Sequence, residues 1–199
     1  VAQFVLPPLA ARILTDRLAR DGRVVSVSVS AFPAIELLWQ DADRVAVRMA
    51  TYHPTVSRLG DLLAESSGVG SLDVRVGTLR TGLLTVHNAD LRKRGDRLLA
   101  SAEIYESDLR DAIPGLTSVI PVASGGGALQ LQGTGSVLGV RATVDVTVEP
   151  VAGAIRVVPP GLLSFLQITV WKDPRVHVDS VSGRPTSQGM EVAAAASLQ

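Results

Sequence analysis

The chain has 199 residues, with 19 basic and 19 acidic side chains, 46% hydrophobic residues, 4% aromatics and no cysteine. That length buries a real core in one large domain or two small ones, and the apolar content argues against disorder. Balanced charge argues against nucleic-acid binding, which needs surplus Lys and Arg to displace counterions, and the lack of cysteine removes disulfides, thiolate catalysis and Cys-based metal sites.

In chain order, residues 5–20 (VLPPLAARILTDRLAR) carry Leu6, Leu9, Ile13, Leu14 and Leu18 at spacings of three and four. Arg12, Asp16, Arg17 and Arg20 take other positions, so the segment reads as an amphipathic helix. Pro7-Pro8 stand at its start, where missing N–H groups do little harm, and Gly22 stops it. The period then drops to two. Val25, Val27 and Val29 alternate with Ser26, Ser28 and Ser30, which predicts a strand with one apolar face, ending at Phe32-Pro33. Residues 34–39 form a short apolar turn of helix. Val45, Val47 and Met49 alternate with Arg44, Ala46 and Arg48 as a second strand, and Val56, Leu59, Leu62 and Leu63 predict another short helix.

Leu72, Val74 and Val76 open a run of strands with turn points at Gly82 and Gly95. Residues 98–104 form a further strand. Ser107 reads as the N-cap of a helix holding Leu109, Ala112 and Ile113, closed by Pro114-Gly115. Leu129 and Leu131 alternate with Gln130 and Gln132. Val140, Ala142, Val144, Val146 and Val148 alternate with Arg141, Thr143, Asp145, Thr147 and Glu149, the clearest strand pattern in the chain. Residues 155–158 form a strand, Pro159-Pro160 precede an apolar helical turn over 162–166, and strands follow at Val176 and over 190–198. The order strand, proline, short helix, strand occurs over 25–49 and again over 153–178, a hint of internal pseudo-symmetry. No linker divides the chain, so residues 1–199 read as a single α+β domain of long antiparallel strands with a few helices. A parallel βαβ arrangement needs a regular alternation of strand and helix that is absent.

No constellation recommends an enzyme. His53, His87 and His177 lie far apart without metal-ligand spacing and read as surface strand residues; no metal and no cofactor is expected. His177 and Asp179 share a strand face, but no G-x-S-x-G elbow supplies a serine. Gly133-Thr134-Gly135 with Gly139 mimics a dinucleotide loop, yet a strand pattern follows instead of a helix. Those glycines therefore read as a turn or bulge between strands. Asp41 with Asp43, and Glu103 with Glu106, are carboxylate pairs by proximity alone. Arg92-Lys93-Arg94, followed by Arg97, reads as a polar hairpin tip, with contact to anionic lipid headgroups as the alternative. No apolar run reaches the ~20 residues of a bilayer span. The chain begins at Val1 without Met, which reads as a processed or trimmed product.

What is over-supplied is aliphatic side chain on strands and amphipathic helices. A ten-residue strand spans roughly 33 Å, against about 15 Å for the hydrocarbon of one leaflet. Long strands around apolar helices therefore have the length to sheath an acyl chain.

The segment 25–47, VSVSVSAFPAIELLWQDADRVAV, resembles the signature of the actinobacterial LmeA-like phospholipid-binding family. That pattern runs strand, Phe-Pro, Leu-rich turn, an acidic or glycine residue, then a valine-rich strand. The Ser-Asp-Leu-Arg-Asp-Ala helix at 107–112 and the Gly-Met-Glu-Val ending at 189–192 fit the later order. The resemblance implies a tubular lipid-binding (TULIP/BPI-like) fold: a long curved antiparallel sheet wrapped around an N-terminal helix, enclosing an apolar cavity. It implies non-catalytic binding, transport or presentation of phospholipid or another acyl-chain lipid, with peripheral membrane contact. It also implies an extracytoplasmic place in the cell envelope or periplasm, reached through a signal or anchor absent from this chain. The family often has glycine after the Leu-rich turn, where this chain has Trp39-Gln40-Asp41.

On that reading the cavity lining comprises Leu9 and Ile13 of the first helix, then Phe32, Leu38 and Trp39 at the first strand–turn junction. Val47, Met49, Leu109, Ile113 and Phe165 complete it. Arg44, Arg48 or the basic run at 92–94 would meet a headgroup. The alternative is a structural or scaffolding envelope module with a filled core, binding a protein partner through a sheet edge. A continuous apolar cavity separates the two.

Overall fold

The alternation of valine with short polar residues resolves into two sheets in the computed structural model, which describes residues 11–30, 42–81, 84–137, 140–161 and 167–199. Helix α1 (residues 11–18) leads into β1 (Gly22–Ser30) and β2 (Ala42–Tyr52). Helix α2 (Val56–Glu65) and a 3-10 turn (Ser66–Gly68) lead to β3 (Val69–Thr81), β4 (Leu84–Arg94) and β5 (Arg97–Tyr105). Helix α3 (Glu106–Ala112) precedes β6 (Leu116–Gly125), β7 (Ala128–Val137), β8 (Val140–Val151), β9 (Ala154–Val158) and β10 (Ile168–Trp171). Strands β11 (Val176–Pro185) and β12 (Gly189–Leu198) complete the order. The fold is α+β and mostly sheet, as the periodicity predicts.

One sheet has seven strands in the order β1-β2-β3-β4-β5-β12-β11, the other five in the order β10-β9-β8-β7-β6. Neighbours are antiparallel with one exception that corrects the sequence reading. β2 and β3 run parallel, with Val45 opposite Leu72 and Val47 opposite Val74. Parallel neighbours need a crossover, and α2 supplies it, laying Leu59 and Leu62 on the core of β2 and β3. Thr55 Oγ1 accepts the Arg58 backbone N–H at 3.2 Å and so caps the start of that helix.

Four further expectations change. Val25 does not share the apolar face with Val27. Register shifts at Arg23/Val24 and Val24/Ser26 insert a bulge, so Val24 and Val27 pack inward while Val25 is 66% exposed. Ser107 is not an N-cap: α3 starts at Glu106, the cap position is Tyr105, and no side chain caps it. The first turn instead carries Glu106 and Asp108, whose charge suits the helix dipole. The basic run stands at the end of the β4–β5 hairpin, with Arg94 opposite Arg97, but it is not wholly solvent-facing. Gly95-Asp96 form the turn, and residues 92–94 end β4. Lys93 there is 1% exposed and donates to the Val69 carbonyl, while Arg92 and Arg94 pair with Asp90 and Asp73 at 2.8 and 2.7 Å. Gly133 and Gly135 lie inside β7, not in a turn, while the bulge half of that reading holds at Gly135, where the pairing with β6 shifts register.

Pro7-Pro8, Phe32-Pro33, the turns at 34–39 and 162–166, Gly82 and Gly139 lie outside the described residues. The two segments read as pseudo-symmetric both contain antiparallel strand pairs, β1 with β2 and β9 with β10.

The core has two centres. Leu18, Val45, Val47, Met49, Tyr52, Leu72 and Val76 pack where the helices meet β2 and β3. Leu98, Leu129, Val176, Val178, Val181 and Ala196 pack where β11 meets the second sheet. Hydrogen bonds join the sheets along β11. Ser124 Oγ donates to the Gly183 carbonyl at 2.8 Å and accepts its N–H at 2.9 Å. Val181 N donates to Gly127 O at 2.7 Å, and Val178 N to Gly153 O at 3.2 Å.

Candidate functional site

The strand register aims one face of each sheet at the other. In β7 and β8 the pairs Leu129–Val148, Leu131–Val146, Gly133–Val144 and Gly135–Ala142 all face the space between the sheets. The alternate pairs face outward and bond one another, Gln132 Nε2 to Asp145 Oδ1 at 2.9 Å and Thr134 Oγ1 to Thr143 Oγ1 at 3.1 Å. Side-chain size falls along the inward series. Near β11, Leu129 is 1% exposed; toward the far end, glycine and alanine leave room and Val144 is exposed.

That room is part of a cavity of about 1020 Å³, partly open to solvent. Its opposite wall is the inner face of β2 to β5 and β12, where Ala89, Ala100, Ala102 and Ala194 again keep side chains short. Ala100 sits between Leu91 and Ala194 in the middle of the seven-stranded sheet, faces the cavity, and is still solvent-exposed. An ordinary core would have filled the space above it. Leu14 and Leu18 of α1, Leu59, Leu62 and Leu63 of α2, and Leu109 of α3 close the flanks. The volume lies at the upper end of ligand pockets, roughly 300–1,000 Å³. Along β8 the wall from Ala142 to Val148 is about 20 Å long at ~3.3 Å per residue.

Of the residues expected in the lining, Val47 and Met49 lie on the wall beside β3, and Leu109 and Ile113 on the wall formed by α3. Ile13 is placed on the outer side of α1, 52% exposed, and does not line the cavity. Helical phase explains this: Leu14 and Leu18, four apart, take the inward face. Leu9, Phe32, Leu38, Trp39 and Phe165 lie outside the described residues. Sequence reasoning missed the small residues, which define the lumen by what they omit. The signals were present as Leu-x-Leu-x-Gly-x-Gly from 129 and four alanines from 193.

Few polar groups reach the wall. The Tyr52 hydroxyl is buried without a hydrogen-bond partner among the described residues, and burial, then the Asp21 carboxylate, push its phenol up to about 12. Burial also lowers the Lys93 ammonium from its ordinary value. The outer face of β2 to β4 carries a separate charged ladder in which Arg75 and Arg92 share Asp90 and Arg94 holds Asp73. Arg48 lies beside that ladder, so it stands on the sheet face away from the cavity. His87, read as a surface residue, is half-buried against Tyr105 and Asp108. Among the described residues no cluster of His, Asp and Glu is arranged to hold a metal ion, and no helix is long and apolar enough to cross a membrane.

No family model, curated protein or solved structure matches this chain.

Proposed function

We propose that this protein binds the acyl chains of a lipid between its two sheets, without catalysis. The observation that carries the proposal is the cavity of about 1020 Å³ whose wall is almost wholly aliphatic. The chemistry of the wall favours an apolar occupant. Water fills such a space poorly, since each buried water needs two to four polar partners. Each methylene buried instead contributes about 0.8 kcal/mol. A scaffold module with a filled core needs no such space.

The same reading assigns the chain to the LmeA-like phospholipid-binding proteins and to the cell envelope, with phospholipid or another acyl-chain lipid as ligand and peripheral contact with a membrane. The residues at 25–47 support that assignment, as does helical packing of Leu14 and Leu18 against the inner face of the long sheet. The wrapped, tubular arrangement belongs to this proposal.

The test is purification without detergent, organic extraction, and mass spectrometry of the extract beside native mass spectrometry of the intact protein. Co-purifying lipid at a stoichiometric level is the expected result. A bare protein that also takes up no added phospholipid or fluorescent fatty acid overturns the reading and returns the scaffold.

A further inference from the structure

Helix α3 is a single layer between the cavity and water. Its seven residues span about 10 Å, and none of them is buried. Leu109 lines the cavity, as does Ile113 just beyond the last turn, while Ser107, Arg110 and Asp111 are exposed. The helix carries the chain from β5 of the long sheet to β6 of the other and packs against β4, β5 and β6.

Its fastenings are few. Asp108 Oδ2 meets His87 Nε2 on β4 at 2.8 Å, and Glu106 N donates to the Gln188 carbonyl at 3.0 Å. The imidazole is aimed at Asp108 by stacking on the Tyr105 ring, with centroids 4.0 Å apart and planes 7° from parallel. Beyond the helix the chain turns at Gly115, φ +85°, where a Cβ would meet the Ser136 carbonyl at 2.6 Å. Its own carbonyl accepts the Ser136 N–H at 2.8 Å. A short, unburied helix without a side-chain cap has low local stability against opening.

We propose that α3 is the gate of the cavity and that the His87–Asp108 contact is its latch. This rests on the lipid reading of the cavity. Outward movement of α3 carries Leu109 and Ile113 off the wall, so an acyl chain enters where the chain passes from β5 to β6 while the bonds along β11 stay made. The latch holds the closed state equally with and without lipid. It therefore sets how fast lipid enters and leaves, and not how tightly it is held.

The test is stopped-flow uptake and displacement of a monomeric fluorescent fatty acid by the full chain, its Asp108→Ala variant and its His87→Gln variant. Glutamine keeps a donor near the position of Nε2. Asp108→Ala is expected to raise both rates about three- to tenfold, the scale of a partly buried charge-assisted contact, with the dissociation constant unchanged within twofold. His87→Gln is expected to return rates near those of the parent. Equal rates in all three proteins overturn the gate while leaving the cavity reading in place. An Asp108→Ala variant that melts at the parent temperature yet loses affinity makes α3 a fixed wall and also overturns the gate. No uptake by the parent overturns the cavity reading, and the gate with it.

Discussion

Asp173 Oδ2 stands 1.8 Å from where a Cβ on Gly60 would lie. The carboxylate is drawn into that space by Arg175, whose Nε donates to Oδ1 at 2.9 Å and whose Nη2 donates to Oδ2 at 2.8 Å. The same Nη2 reaches Asp61 Oδ1 on α2 at 3.0 Å. Through this clamp the turn before β11 holds α2 in place along one flank of the cavity.

Gly60→Ala is expected to destabilise the protein by about 1–3 kcal/mol, because the added methyl pushes Asp173 off its bonds. Chemical denaturation of parent and variant measures it. An unchanged midpoint and slope would show that the helix shifts freely and that the clamp does not fix it.

The clamp also sets an acid limit. Hydrogen bonds from Arg175 hold the Asp173 carboxyl below its ordinary value of 3.8. A depressed native value means the ionised group stabilises the fold at neutral pH, and this contribution fades as pH falls below about 4 toward the native value. Asp173→Asn is expected to flatten the acid limb of a melting-temperature profile between pH 5 and pH 2, on the order of that range. An acid limb identical to the parent's would remove Asp173 from the cause.

Gly133→Leu is expected to fill the cavity without harming the fold. A Cβ at this position meets nothing closer than 3.8 Å, and a larger residue suits the middle of a strand better than glycine. Thermal stability should hold or rise while the amount of fatty-acid probe bound per chain falls. Full probe binding by a well-folded variant would place the ligand elsewhere.

Tyr52→Phe removes a buried hydroxyl that has no partner among the described residues. Such a deletion is expected to be neutral or to stabilise by about 1 kcal/mol. A loss of 1 kcal/mol or more in denaturant would reveal a hydrogen bond to that oxygen.

The pattern of β8 was legible in the sequence because period two runs without interruption from Val140 to Val148, whereas in β7 it was read only at Leu129 and Leu131, before Gly133 and Gly135. The same rule failed at Val25. One inserted residue shifts the phase, and a bulge leaves no mark in a run where every second residue is valine or serine. The parallel pairing of β2 with β3 was not legible, since direction depends on where α2 returns the chain and not on either strand's own pattern. Val47, Met49, Leu109 and Ile113 were found as apolar residues on regular elements. The alanines and glycines opposite them were not, because an empty volume depends on the distance between sheets. Lys93 stood in a basic run that reads as solvent-facing. Its position as the next inward residue after Leu91 buries it, and its Nζ then donates a hydrogen bond to the Val69 carbonyl.

The bulge at Val24 to Ser26 has a consequence for the protein in company with other copies of itself. β1 is the outermost strand of the seven-stranded sheet, and from Val24 to Ser30 it carries no charge and no proline. An outer strand of that composition is a template on which a neighbouring chain can zip, as in fibril growth. The extra residue breaks the run of evenly spaced N–H and C=O groups near the start of the strand and twists it locally. An incoming strand would find its register interrupted after a few residues, so the irregularity that spoils the alternation of Val25 also makes β1 a poorer template for a neighbouring chain.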